Sequence, residues 1–209
     1  YILEYNNSLA NQSVGESVIT SLFQSVTRTS GFSTVDFDAS DGYGLGIPFM
    51  ILMLFLMFVG SSSSSTGGGI KTSTFAIIWA SFTKTIRGKK HTAIFNRTIS
   101  QDLIGKAFAV LLIFIGGNLI CIFALSITEA EILASQGRTI LDLVFEEVSA
   151  FGTVGLSTGI TADLSEAGKY IIVVSMFVGR VGTLTIAYLF GKKLLSRNYK
   201  YPSGHTMVG

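Results

Sequence analysis

Apolar and polar positions along the chain fall into a pattern that occurs twice. Ser17 to Ser25 places Val18, Ile19, Leu22 and Phe23 at helical spacing, and Thr139 to Ser149 does the same with Ile140, Leu141, Leu143, Val144 and Phe145. Each stretch predicts a helix of about three turns or less, too short for a bilayer core that needs roughly 20 residues. Each runs into a glycine turn: Arg28-Thr29-Ser30-Gly31-Phe32 after the first, Gly152-Thr153-Val154-Gly155-Leu156 after the second. A long apolar segment with a break or a charge in it follows each turn. After the first come Pro48 to Val59, the polar run Gly60 to Gly69, and a second apolar stretch from Ile70 through Phe82; Pro48 suits a first helical turn. After the second comes Lys169 to Leu195, interrupted by Gly179-Arg180 and Gly182. Between the copies, Leu103 to Ile127 is the longest apolar run, interrupted by Lys106 and Asn118 and long enough to span a bilayer.

Short amphipathic helix, glycine turn and long apolar segment are the layout of a re-entrant pore loop. In such a loop a Thr-x-Gly turn, repeated around an axis, aims backbone carbonyls at a passing cation. Two apolar half-spans with Gly and Ser between them read as a broken transmembrane helix, since non-helical backbone at membrane depth is tolerated only where it lines a cavity or is buried in protein. Ile2 to Ser13 and the acidic Asp36 to Gly46 read as outer connections. Measured from the preceding phenylalanines, Phe23 to Gly31 is two residues shorter than Phe145 to Gly155, so the two loops need not superimpose.

Composition places this pattern in a membrane. Apolar residues make up 48% of the 209 residues and charged residues 13%, against about 25% charged in water-soluble domains, and the mean hydropathy is +0.55. A net charge of +2 is too small to suggest nucleic acid. Its distribution is more informative. Lys84, Arg87, Lys89, Lys90, Arg97 and Lys106 cluster mid-chain, Lys192, Lys193, Arg197 and Lys200 near the end, and nearly all acids lie elsewhere. The positive-inside rule then puts the 84–106 loop and the C-terminus in the cytoplasm. The lone Cys121 forms no intrachain disulfide, and His91 and His205 lack ligand-spaced partners for zinc. No basic region and apolar core open the chain as a signal peptide would, and it reads as cut at its front.

Four pieces carry a family resemblance: Phe23 to Phe32, the Gly60 to Gly69 run ending in Gly-Gly-Gly-Ile-Lys, Ser149 to Ser157, and Gly179-Arg180-Val181-Gly182. Together they resemble the bacterial Trk/Ktr/HKT superfamily of potassium transport subunits, over essentially the whole chain, and within it the C-terminal half of a KtrB-type subunit. Where family members often carry Thr-Ala-Gly-Phe, this chain has Ser30 in place of the alanine. The resemblance implies an all-α membrane protein built of M1–pore-loop–M2 repeats around a pseudo-fourfold pore axis. Residues 1–98 would be a third repeat lacking its M1, with pore helix 17–26, filter 28–34, broken M2 47–86 and cytoplasmic loop 84–101. Residues 99–209 would be a complete fourth repeat, with M1 103–127, pore helix 139–149, filter 152–157, M2 169–195 and cytoplasmic tail 196–209. It also implies a multi-pass protein of the bacterial plasma membrane with its C-terminus in the cytoplasm. Implied partners are a second membrane subunit in a homodimer, a cytoplasmic ring of nucleotide-binding KtrA/TrkA-like subunits, and the first half of the same pore. K+ is the transported ion at the filter and Na+ a regulator. No cofactor sits on this chain, and any nucleotide binds the regulatory partner.

The candidate filter residues are Thr29, Ser30, Gly31 and Phe32 in the first turn and Thr153, Val154, Gly155 and Leu156 in the second. Dehydrated K+ needs replacement oxygens, which backbone carbonyls supply, and glycine reaches backbone conformations that other residues resist. An ordinary glycine turn is the plain alternative. The candidate gate is Ser61, Ser62, Ser63, Ser64, Ser65, Thr66, Gly67, Gly68 and Gly69 together with Arg180. A flexible Gly/Ser linker is the alternative for the run. A phosphate-binding loop fails because Ile70 stands where glycine is required before Lys71-Thr72. Arg180 in mid-span must face a cavity or a partner, either as a barrier to cations below the filter or as a packing salt bridge with Glu146 or Glu147. Asp102 and Lys106 read as a solvated pair on one helix face. No nucleophile–base pair or metal-ligand cluster supports an enzyme. The competing functional class is a non-conducting membrane scaffold with a degenerate pore.

Overall fold

The computed structural model describes residues 1–4, 9–10, 12–35, 37, 46–89, 91–95, 97–135 and 138–182. Most of the expected acidic loop, with Asp36, Asp38 and Asp41, lies outside the described residues. So do Lys90, the 183–195 end of the last span with Lys192 and Lys193, and the 196–209 tail with Arg197, Lys200 and His205.

Seven α-helices, a 3-10 turn (Ile160–Ala162) and one small hairpin are the regular elements of the described residues: α1 (Val14–Thr27), α2 (Ile47–Phe58), α3 (Thr72–Ile86), β1 (Ala93–Ile94), β2 (Arg97–Thr98), α4 (Gln101–Thr128), α5 (Ala130–Ser135), α6 (Ile140–Phe151) and α7 (Glu166–Val181). β1 and β2 pair antiparallel, Ala93 opposite Thr98.

The two helices that lead into the glycine turns start the same way. Ser13 and Glu16 bond reciprocally at the head of α1, the Ser13 amide donating to the Glu16 carboxylate at 2.9 Å. Thr139 and Asp142 do so at the head of α6, the Thr139 amide donating at 2.8 Å. Such capping boxes satisfy amides that the first helical turn leaves free. The Ser13 side chain and amide also hold the exposed Glu16 carboxyl below its ordinary range. α2 begins at Ile47 with Pro48 in its first turn. Its far end is closed by Arg28, whose Nη1 donates to the carbonyls of Leu56 at 2.6 Å and Val59 at 2.9 Å.

The core gathers around α6 and the turn that follows it. Met50, Met53 and Met57 of α2 pack on Phe145, Val154 and Leu156. Leu125 of α4 and Ile172 of α7 enclose Leu143, Ile160 and Leu164. Phe151 at the end of α6 meets Phe114 of α4 edge-on at 5.1 Å, and Phe114 meets Phe58 at 5.2 Å. α7 passes so close to the end of α6 that a Cβ on Gly179 would collide with the Phe151 carbonyl.

The fold differs from the expected all-α assembly of M1–pore-loop–M2 repeats around a pseudo-fourfold axis. Among the described residues one helix, α4, is long and apolar enough to cross a membrane, and the rest form a packed helical core with a short hairpin. The physical reason lies in the breaks. α2 stops after 12 residues at the Gly60 run, and α7 stops after 16 at its non-helical C-cap Gly182, φ +90°, so neither helix reaches the roughly 20 residues that a hydrocarbon core demands. α4, at 28 residues, is about 42 Å long.

Candidate functional site

Both glycine turns begin at the same distance from their helices. α1 ends at Thr27 and α6 at Phe151, and Gly31 and Gly155 each stand four residues further on. Aligned in this way the copies share Ser25 with Ser149, Thr29 with Thr153, Gly31 with Gly155, Ser33 with Ser157 and Thr34 with Thr158. The two-residue mismatch counted from Phe23 and Phe145 disappears, because those phenylalanines occupy different helical positions. The repeat is visible either way; aligning the small polar residues gives its register, and aligning the large apolar ones misplaces it by two residues.

The fold brings the two turns together. Gly31 has φ +76° and Gly155 φ +93°, left-handed conformations in which a Cβ is strained. Gly31 also lies so close to the second turn that a Cβ would stand 2.8 Å from the Val154 carbonyl oxygen and 3.2 Å from Gly155 Cα. Thr153 itself holds φ +53°. The second turn is anchored from beneath: the Val154 amide donates to the Ser149 carbonyl at 2.9 Å, and the Gly155 amide to the Ser149 hydroxyl at 3.2 Å. Val154 and Leu156 are buried, whereas Phe32, which follows Gly31, is 70% exposed.

The Ser/Gly run lies under the second turn as a folded loop. A parallel bridge between Val59 and Ile70 closes its neck, with the Gly60 amide donating to the Ile70 carbonyl at 2.9 Å. The Gly68 amide donates to the Thr153 hydroxyl at 2.6 Å, joining the run directly to a filter candidate. Arg180 Nη1 donates to the Thr66 carbonyl at 3.3 Å. Lys71 reaches back to the Ser65 carbonyl at 2.8 Å, the Ser61 hydroxyl at 3.3 Å and the Gly67 carbonyl. A cavity of about 520 Å³ opens between this loop, α4 and α7, with Lys71, Lys106, Phe114 and Arg180 in its wall. A random-coil linker would have no such set of bonds.

The two acids considered as partners for Arg180 are engaged elsewhere. Glu146 accepts from the hydroxyls of Ser157, at 2.9 Å, and Thr161. Glu147 accepts from the Ser175 hydroxyl. Asp102 and Lys106 pair at 2.7 Å on the exposed face of α4. Among the described residues no group of three or more His, Cys, Asp or Glu side chains could hold a metal.

The family profile described as "TrkH: Cation transport protein" matches residues 2–201. This chain belongs to the TrkH family. Among curated relatives, Ktr system potassium uptake protein B of Bacillus subtilis (strain 168) is 42% identical over 217 aligned residues, which cover 100% of this chain and 45% of that protein. Ktr system potassium uptake protein B of Vibrio alginolyticus is 37% identical, covering 97% of this chain and 42% of the relative. Potassium/sodium uptake protein NtpJ of Enterococcus hirae is 37% identical, covering 93% and 42%. The chain thus spans less than half the length of these relatives. TrkH membership and the apolar 28-residue α4 together make it a membrane protein of a transport family rather than an enzyme family.

Two acidic residues that sequence reasoning passed over help to hold the turns of this TrkH-family chain. Buried Glu4 accepts from the amide of Gly46, the N-cap residue of α2, at 3.0 Å. Buried Glu129 accepts from the amide of Ser165, the N-cap of α7, at 3.0 Å and from its hydroxyl. Each acid precedes a turn in the chain and secures the head of the helix that follows it. Burial alone would push the Glu129 carboxyl up, but the Ser165 amide and hydroxyl, the Thr128 hydroxyl and the Lys169 ammonium hold it below the ordinary range. In the sequence Glu4 and Glu129 are acids in connecting segments, and no spacing rule ties them to helices about 40 residues away.

Proposed function

We propose that this chain forms part of the ion pathway of a potassium uptake system, and that the Thr29–Phe32 and Thr153–Leu156 turns supply backbone carbonyls that replace the water shell of K+. The single observation that carries this reading is the meeting of Gly31 and Gly155 in left-handed conformations, with the Val154 carbonyl oxygen 2.8 Å from the Cβ position of Gly31. A dehydrated cation needs oxygens converging from several segments, and the contact of the two turns brings backbone oxygens of separate segments near one another. The potassium uptake functions named for the relatives support the same ion.

The Ser61–Gly69 loop with Arg180 is proposed as the gate, a folded barrier between the second turn and the cavity that the arginine pins at Thr66. Domain by domain, residues 1–98 and 99–209 are proposed to contribute one turn each. The basic 84–97 segment is proposed as a docking surface for a cytoplasmic nucleotide-binding regulatory ring, beside a second copy of the membrane subunit. Na+ acts as a regulator in this reading.

The test is K+-dependent rescue of an uptake-deficient cell by the complete transport protein, followed by flux ratios for Gly155→Ser. Rescue with a lowered preference for K+ over Na+ in the variant is expected. An unchanged ratio removes the carbonyl filter, and absence of rescue by a well-expressed complete protein favours a scaffold. Deleting Ser61–Thr66 is expected to raise uptake; equal or lower flux at normal expression removes the gate.

A further inference from the structure

We propose that Lys71 is the positioning residue that keeps the Ser/Gly loop folded, a latch distinct from the arginine that pins the loop from outside. The inference rests on the gate reading above and goes beyond it by naming what gives the loop its closed shape.

Helix propensity does not account for Lys71. It occupies the N-cap of α3, with extended φ −61° and ψ 145°, and makes no capping bond. Ser, Thr, Asp or Asn are the residues favoured there, and a cation at a helix N-terminus opposes the helix dipole. The ammonium is instead turned back into the loop that precedes it. All three of its donors have partners, and all three partners belong to that loop: the Ser61 hydroxyl at 3.3 Å, the Ser65 carbonyl at 2.8 Å and the Gly67 carbonyl. The half-buried stem brings the ascending limb at Ser61 and the descending limb at Gly67 onto one charge.

The other restraints act differently. The Val59–Ile70 bridge sets where the chain leaves and returns but does not shape the tip. Arg180 from α7 and Thr153 from the second turn hold the tip in place through Thr66 and Gly68. They decide where the loop sits. Within the loop, the Ser65 amide donates to the Ser62 carbonyl and the Gly67 amide to the Ser65 hydroxyl, both neighbours in sequence, and Ser63 bonds Ser73 at 2.6 Å. Lys71 is the group that joins Ser61, Ser65 and Gly67 at one point, so it contributes most to the compact shape. Without the ammonium, the Ser65 and Gly67 carbonyls lose their charged donor, and the exposed Ser62–Thr66 tip keeps only single bonds, from Ser63 to Ser73, from Ser65 to Ser62, from Gly67 to Ser65 and from Arg180 to Thr66, so it extends more readily.

The experiment uses the complete transport protein. Lys71→Met keeps the stem and removes the donors, Lys71→Arg keeps charge and donors, and Lys71→Gln keeps two neutral donors. K+ uptake is measured for each, alone and combined with deletion of Ser61–Thr66. Loop extension is read separately by thiol labelling of a Ser64→Cys variant in a Cys121→Ala background. Lys71→Met is expected to speed both uptake and Ser64→Cys labelling by roughly fivefold, the factor set by loss of about one net hydrogen bond. Lys71→Arg is expected to stay near wild type, Lys71→Gln to fall between, and Lys71→Met to change nothing once the loop is deleted. Unchanged labelling in Lys71→Met overturns the latch, as does an effect on uptake that persists in the loop-deleted protein. If Lys71→Met does not accumulate in membranes, Lys71→Gln decides by the same labelling comparison. If loop deletion leaves uptake unchanged while Lys71→Met still speeds labelling, the gate reading fails and the latch stands.

Discussion

The two glycine turns share a sequence skeleton and differ in how they are held. Behind the second turn, α6 buries Leu143, Phe145, Glu146, Glu147, Ser149 and Phe151, and is enclosed by α2, α4 and α7. Behind the first, α1 buries only Ser17 and Gln24 and exposes Val14, Val18, Ile19, Leu22 and Val26. At matched positions, Leu22 and Phe23 of α1 correspond to Glu146 and Glu147 of α6. One helix turns apolar residues outward and the other turns acids inward. The same Ser-x-x-x-Thr-x-Gly skeleton therefore ends in a positive-φ glycine in both places but reaches it by different routes: Thr153 is left-handed at φ +53° and the Val154 amide donates to the Ser149 carbonyl, whereas the Ser30 amide donates to the Thr27 carbonyl. Its resistance to deformation depends on the neighbours: α2, α4 and α7 enclose the helix behind the second turn, while the first turn is held by Arg28 on the end of α2, by the Gln24–Ser33 bond and by the contact of Gly31 with the second turn.

This contrast predicts unequal responses to equal substitutions. The largest difference should separate the residues after each glycine. Leu156, 3% exposed and packed among α2 methionines, should lose about 2–5 kcal/mol of stability on truncation to Ala. Phe32→Ala should stay within about 0.5 kcal/mol. Thermal unfolding of the purified complete protein reads both, and a comparable loss at Phe32 would mean that the first turn is enclosed as well as the second.

The glycines themselves come next. Ala at either site is strained by the positive φ, but only at Gly31 would it also meet a carbonyl oxygen, at 2.8 Å; at Gly155 the nearest atom is Gly31 Cα at 3.5 Å. Gly31→Ala should therefore cost about 1–3 kcal/mol and exceed Gly155→Ala by a measurable drop in Tm. The opposite order would show that the turns do not meet as described.

The smallest effect concerns the acid at the head of α7. Glu129→Gln, which keeps a carbonyl acceptor for Ser165, should cost about 1 kcal/mol near neutral pH, the worth of one net hydrogen bond. The sign with pH follows from the lowered folded pKa. The stabilisation from Glu129 is complete above the ordinary value of 4.5 and is lost as pH falls through the lower folded value. Wild type and Glu129→Gln should accordingly converge in Tm on acidification, and a gap that stays constant would mean that the charge does not contribute.

Much of the local structure was legible along the chain. The two short amphipathic helices before the glycine turns follow from hydrophobic periodicity, although the Ser13/Glu16 box starts the first of them at Val14 rather than Ser17, and Gly60 to Gly69 is bracketed by apolar runs that read as helical on both sides. Periodicity and capping are properties of neighbours within a few residues, so a sequence displays them. The number of membrane-length helices was not legible. Apolar content in 47–82 was read as a span with an interruption, but the interruption folds back through the Val59–Ile70 bridge and leaves a 12-residue helix on one side and a 15-residue helix on the other. The expected symmetric assembly of repeats failed at that point. The partner of Arg180 was equally hidden: nothing in Glu146, Glu147 or Thr66 as letters says which one the guanidinium meets, because a backbone carbonyl has no signature in sequence.

By itself the chain's order of residues determined two short amphipathic helices, each followed by a glycine turn, and an apolar stretch at α4 long enough for a bilayer. These follow from short-range sterics, hydrogen bonding and transfer free energy. Only the tertiary structure decided that Gly31 lies against the Val154 carbonyl, that Lys71 and Arg180 hold one loop from two sides, and that Glu4 and Glu129 secure helices some 40 residues on. Those contacts join segments whose spacing along the chain carries no information about their distance in space, and packing alone selects them.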